Sequence, residues 1–278
     1  MTLGELKEKL RTIGKDTEDP FLETRVILSH LGFSPIFQIT EKDREVEKSV
    51  EEKAISLMEK RAGHWPMAYL TGEKEFWGLN FHVTPDVLIP RPDTETLVET
   101  AINLWKDNAL KGDILDLCTG SGAIATALSV ELDKDIHFSD LSPKALSVAE
   151  DNYTRLTGRK AYKKEGDLLS PWKGKKFALI VSNPPYLTEK WCQEVSEEVK
   201  KEPKMALLGY GPEGLDIIER ILDEAPGNLE KGGYLALECD WRQCNEIRER
   251  LVKKGYLGVN IVKDLRGLDR VVYGRYDG

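Results

Sequence analysis

Asn183-Pro184-Pro185-Tyr186 is the segment whose residue types point most directly to chemistry. Its two prolines carry no N–H donor. A residue that precedes proline is pushed into extended backbone, which fixes the directions of the Asn183 and Pro184 carbonyls. The Asn183 side-chain oxygen and the Pro184 carbonyl can then accept both hydrogens of a planar –NH2 group. Tyr186 offers an aromatic face on which that group can lie. An amide or conjugated amino nitrogen is a poor nucleophile because its lone pair is delocalised. Two acceptors that orient it, and that favour the positive charge it develops, suit an in-line methyl transfer with no strong general base. Asn183, Pro184, Pro185 and Tyr186 are therefore the expected catalytic and acceptor-binding residues.

Upstream, Ile114-Leu115-Asp116-Leu117-Cys118 reads as a buried strand and Thr119-Gly120-Ser121-Gly122 as a tight turn into a helix near Ala123. Ligands bind outside the carboxyl ends of such strands. The spacing is not the GxGxxG that presents amides to a pyrophosphate. The strand carries Asp116 instead, which suits an ammonium group. Asp140 ends the next strand, where a carboxylate can accept from a ribose diol, and Asp167 follows the third, placed for an adenine amino group. An adenosine with a cationic tail matches this set, and S-adenosylmethionine is such a molecule. The plainer alternative is that the glycines only shape a turn and that Asp140, just before Ser142-Pro143, caps a helix.

The elements that must hold these residues follow from periodicity. Residues 1–75 show helical spacing at Leu3, Leu6, Leu10 and Ile13 and again at Ala54, Leu57 and Met58, and predict a small helical domain. Residues 76–90 predict a β-hairpin linker, with runs at 76–83 and 87–90 divided by a turn at Thr84-Pro85-Asp86. From 91 to 278 strands and helices alternate. The expected fold is α/β: a doubly wound, mostly parallel sheet of the S-adenosylmethionine-dependent methyltransferase type. Its last two strands must pair as an antiparallel hairpin around Arg266-Gly267-Leu268.

The chain has 278 residues with 40 basic and 48 acidic side chains, a net charge of −8. That balance argues against a protein that lives on nucleic acid, which needs a basic face. No apolar run is long enough to span a bilayer, and the first residues lack a signal-peptide core, so no membrane partner is expected. Cys118, Cys192, Cys239 and Cys244 form no framework, which fits a reducing cytoplasm, and no His/Cys cluster suggests a metal. A monomer is expected.

The segments around Asn-Pro-Pro-Tyr resemble the HemK family of protein-(glutamine-N5) methyltransferases. Tyr69-Leu70-Thr71-Gly72, Glu75-Phe76-Trp77-Gly78-Leu79 and Leu88-Ile89-Pro90-Arg91-Pro92-Asp93-Thr94-Glu95 are similar to the family's linker and the lead-in to its catalytic domain. Glu202-Pro203, Ala206-Leu207 and Gly214-Leu215-Asp216 resemble the stretch after its Asn-Pro-Pro-Tyr, and Asp264, Gly267 and Arg270-Val271-Val272 its closing hairpin. The resemblance implies methyl transfer from S-adenosylmethionine, leaving S-adenosylhomocysteine, to the glutamine of the Gly-Gly-Gln motif of peptide chain release factors. Carried over, Cys118, Thr119, Gly120, Ser121, Gly122, Asp140, Asp167 and Asn183 line the cofactor site, with Leu141 and Leu168 beside the two aspartates. Asn183 and Pro184 hold the glutamine amide. Arg91, between two prolines, is either a surface charge or a clamp over the pocket on the substrate side. One departure is that the family commonly has glycine at Cys118. The rival reading is an adenine-N6 nucleic-acid methyltransferase, since adenine presents the same kind of amino group. A nucleotide-dependent oxidoreductase and a non-catalytic adaptor with a vestigial pocket are more distant alternatives.

Overall fold

A computed structural model describes all 278 residues. They form two compact units: Met1–Glu73 together with Ser196–Lys201, and Lys74–Val195 together with Glu202–Gly278.

The first unit is helical: α1 (Leu3–Ile13), α2 (Pro20–His30), α3 (Phe37–Thr40), α4 (Lys48–Ala62) and α5 (Met67–Thr71). Thr2 and Glu5 form a capping box at the start of α1, and Asp19 caps α2 just ahead of Pro20. Leu3, Leu6 and Leu10 share one face of α1 and pack with Ile27, Leu28, Ala54 and Met58. Arg61 is held between Glu23 at 2.8 Å and Glu198 at 2.6 Å, so the 196–201 segment is tied to α4.

The second unit opens with β1 (Glu73–Phe76) and β2 (Leu79–His82), a two-stranded sheet. Here the expected linker is corrected. The hairpin turns at Trp77-Gly78, both in the left-handed region at φ 54° and 68°, which a two-residue hairpin of matching twist requires. The segment 87–90 is not a strand, because Pro90 has no donor and the Ile89 N–H goes to Glu202 Oε2 at 2.9 Å. Phe76 and Trp77 pack in this unit's own core, with Phe76 edge-on to Phe81.

Seven further strands follow: β3 (Ile114–Leu117), β4 (His137–Asp140), β5 (Tyr162–Glu165), β6 (Phe177–Ser182), β7 (Leu229–Glu238), β8 (Leu257–Lys263) and β9 (Asp269–Arg275). Their order is β5-β4-β3-β6-β7-β9-β8. The first five run parallel, β9 is antiparallel to β7, and β8 to β9. This is the doubly wound sheet with a closing hairpin that the alternation predicts. Its crossovers use α7 (Ala123–Leu132), α8 (Pro143–Thr157), α10 (Asp216–Asn228) and α11 (Cys244–Lys253), while α6 (Glu95–Asp107) precedes β3 and the short α9 (Glu189–Glu194) follows the Asn-Pro-Pro-Tyr loop. β3 and β6 are buried at every position, as strands covered on both faces must be. Strand order reverses between β3 and β6, so the carboxyl ends of β3, β4 and β6 open onto a switch-point crevice.

Candidate active site

A cleft occupies that crevice. The glycine turn forms its floor. Thr119 N–H donates to the Ser139 carbonyl at 3.0 Å, tying the turn after β3 to β4. Cys118, Thr119, Gly120 and Ser121 line the cleft. Gly122 does not. At φ 79° it starts α7, and a Cβ there would lie 3.0 Å from Ala149 Cα, so its role is the close approach of α7 to α8. Cys118 is itself left-handed at φ 59°, a conformation that glycine adopts without strain. Desolvation pushes its thiol pKa well up, so it stays protonated and is no nucleophile.

Asp140 and Leu141 line the cleft at the end of β4. Asp140 Oδ2 accepts from Gly120 N–H and Oδ1 from Ser142 N–H, each at 2.9 Å, which leaves the carboxylate further accepting capacity. The cap of α8 is Ser142, whose hydroxyl accepts from Ala145 N–H, so capping does not use up Asp140. Burial raises its pKa, partly offset by those backbone donors. Asp167 and Leu168 lie just past β5 and also line the cleft. Asp167 is exposed and accepts from Arg220 at 2.6 Å, while Leu168 is buried with φ 46°.

Asp116 is elsewhere. It sits inside β3, fully buried, and does not line the cleft. Its Oδ2 accepts from the Thr119 hydroxyl at 2.6 Å and Ala125 N–H at 3.2 Å, and its Oδ1 is buried with no partner. Burial lifts its pKa to about 7. The expected ammonium contact is therefore corrected: this carboxyl braces the turn from beneath, because the side chain leaves the strand on the face that packs under α7.

The Asn-Pro-Pro-Tyr loop leaves β6 at the same edge. Asn183 and Pro185 line the cleft, and Asn183 Nδ2 donates to the Thr94 hydroxyl at 3.2 Å. Pro184 and Tyr186 are outside its lining. Tyr186 packs against the core, and its hydroxyl donates to Glu238 at 3.4 Å. Burial and the neighbouring carboxylate push the phenol pKa up. Arg91 lines the cleft and pairs with Glu202, whose other oxygen takes the Ile89 N–H. The segments before α6 and after the Asn-Pro-Pro-Tyr loop are thus latched together. The charged residues of the lining are Asp86, Asp140, Asp167 and Arg91; Asp86 pairs with Lys144, Asp167 with Arg220 and Arg91 with Glu202, so Asp140 alone has no ion-pair partner.

Relatives named release factor glutamine methyltransferase align along nearly all of the sequence. The one from Vibrio cholerae is 40% identical over 272 residues, covering 97% of this chain and 93% of its own. The one from Clostridium acetobutylicum is 37% identical over 272 residues, covering 95% of each. The chain belongs to the release factor glutamine methyltransferase family. Residues 2–72 match the PrmC N-terminal domain and residues 93–211 the Methyltransferase small domain. A solved methyltransferase from Pyrococcus furiosus shares the fold, at a TM-score of 0.51 and 19% identity over 74% of this chain and 92% of that one.

For a member of this family, the residues that sequence reasoning overlooked lie around the second half of the site: Thr94, Glu202, Arg220, Glu238 and Gln243. Glu238 carried a usable signal. It is an acid at the carboxyl end of a buried strand, as Asp140 is, beside the strand that delivers Asn183.

Proposed function

We propose that this chain transfers a methyl group from S-adenosylmethionine to the side-chain amide nitrogen (N5) of the glutamine in the Gly-Gly-Gln motif of peptide chain release factors. It would act in translation termination, in the cytoplasm. The observation that carries the reading is the Asn-Pro-Pro-Tyr loop at the edge of the switch-point crevice in a chain of this family. No helix is long and apolar enough to cross a membrane.

The cleft suits the cofactor on its own chemistry. The one charged lining residue without an ion pair, Asp140, is an acid, which favours a sulfonium and disfavours a pyrophosphate. Asp140 keeps accepting capacity for a ribose diol, and the Gly120 backbone has nothing within 4 Å on its Cβ side. Asp140, Leu141, Asp167, Leu168, Asn183 and residues 118–121 would hold it. When bound, S-adenosylmethionine supplies an electrophilic methyl group.

The chain's own part is orientation. Asn183 Oδ1 and the Pro184 carbonyl accept the two amide hydrogens, keep the nitrogen aimed, and favour its developing positive charge. The nitrogen can shed its proton as or after the new bond forms, so no strong base is required. Arg91 borders the acceptor side, and the helical unit helps to dock the protein substrate. Mass spectrometry of a release factor incubated with this chain and S-adenosylmethionine tests the reading. One added methyl on the Gly-Gly-Gln glutamine is expected; label in nucleic acid and none in release factor would overturn it in favour of the adenine-N6 alternative.

A further inference from the structure

The β7–α11 connection, residues 238–243, lies outside every motif discussed above, yet it holds Tyr186 at both its backbone and its ring. Gln243 is 4% exposed and its amide is fully engaged. Nε2 donates to the Tyr186 carbonyl at 2.8 Å and the Glu213 carbonyl at 2.7 Å, while Oε1 accepts from Asp240 N–H at 3.2 Å. A buried amide satisfied in this way has one orientation. At the ring end, the Tyr186 hydroxyl donates to Glu238, which is 1% exposed. The room left around the loop is small, since a Cβ on Gly209 would lie 2.7 Å from Tyr186 Cα.

We propose that Gln243 and Glu238 are positioning residues for methyl transfer, both acting through Tyr186. Gln243 sets the backbone at the end of the Asn-Pro-Pro-Tyr loop, and Glu238 anchors the hydroxyl end of the ring. The inference rests on the glutamine-methylation reading above. Neither residue lines the cleft, so neither is required for the cofactor to bind. Their effect falls on the acceptor, where a displacement of about 1 Å can slow a reaction on the order of a hundredfold.

The test compares four variants of the full chain. Gln243→Met keeps volume and removes both donors; Gln243→Asn withdraws the amide by one methylene and serves if the first does not fold. Glu238→Leu removes the acceptor of the Tyr186 hydroxyl, and Glu238→Gln keeps one. Steady-state methylation of a release factor is measured beside S-adenosylmethionine affinity by calorimetry. The expected result is a kcat at least about tenfold lower in the Gln243 variant and in Glu238→Leu, cofactor affinity within about twofold of wild type, and a higher kcat for Glu238→Gln than for Glu238→Leu. Wild-type kcat in the Gln243 variant and Glu238→Leu overturns the proposal. So does a parallel loss of cofactor affinity, which is what general loosening of the domain would give. A wild type that labels a different acceptor sinks the glutamine reading, and the same comparison on that acceptor then decides the positioning role.

Discussion

Asn183 Nδ2 donates to the Thr94 hydroxyl at 3.2 Å, across 89 residues of sequence. This bond fixes which end of the Asn183 amide is left over. In this bond the Thr94 oxygen is the acceptor. With its nitrogen on Thr94, Asn183 has its oxygen left for the acceptor substrate, the polarity needed to receive an N–H.

Thr94→Val should remove that constraint while keeping the shape of the side chain. The Asn183 amide can then turn over, and kcat is expected to fall about tenfold or more with cofactor affinity held. Thr94→Ser keeps the hydroxyl and should recover most of the rate. Asn183→Ala should abolish turnover while S-adenosylmethionine still binds. Single-turnover rates paired with calorimetric affinities would check all three.

Asp140→Ala should act on binding. A hydrogen bond to a charged group is worth roughly 1.5–3 kcal/mol, so the Kd for S-adenosylmethionine should rise roughly tenfold to hundredfold. The Gly120 and Ser142 amides also lose their acceptor, so part of the effect will come from a looser turn. Unchanged affinity in a titration would refute the ribose contact.

Asp116 makes stability depend on pH in an unusual direction. Its pKa rises from the ordinary 3.8 to about 7 in the folded chain. Between those values the native chain holds a proton that the unfolded chain has released. This contribution is therefore whole below about pH 4 and is lost as pH climbs to 7, by an amount on the order of 4 kcal/mol. Asp116→Asn keeps an acceptor for Thr119 and Ala125 and carries no charge. Denaturant unfolding from pH 4 to 8 should show the wild type losing stability relative to this variant as pH rises. Curves that run parallel would refute the assignment. Glu238, also lifted to about 7 by burial, should add a slope of the same sign that Glu238→Gln removes.

Cys118→Gly should be tolerated or mildly stabilising. A left-handed non-glycine residue costs roughly 1–2 kcal/mol, and glycine's extra freedom in the unfolded chain gives back about 0.5–1 kcal/mol. The net expectation is a Tm equal to or slightly above wild type, with cofactor binding retained. Because the thiol stays protonated, mild alkylating reagents should label Cys118 slowly in the native protein.

Much of this architecture was readable before any coordinates. Alternating apolar runs dictated the doubly wound sheet, because a strand buried on both faces must be apolar throughout and its crossovers must be helical. Proline and glycine spacing marked the two loops at the sheet's edge, since those residues act through their own backbone geometry and need no partner. Local chemistry misled in two places. The Thr84-Pro85-Asp86 turn looked like a hairpin because turn residues stand there, but the ladder closes at Trp77-Gly78 and Ile89 bonds to Glu202 instead. Asp116 looked available at a strand end, and only packing revealed that Thr119 and Ala125 engage one oxygen while the other is buried without a partner.

What the sequence by itself determined is the set of groups that carry chemistry: Asn183, the prolines, the glycine turn and Asp140. What only the tertiary structure decided is which way those groups face. Thr94 orients Asn183, Gln243 and Glu238 hold Tyr186, and Glu202 latches Arg91, each across tens of residues or more. These partners are set by the adjacency of β6 and β7 and by the loops that meet at their ends. A hydrogen bond depends on distance and angle, and neither is encoded in the spacing of residues along a chain until the sheet has assembled.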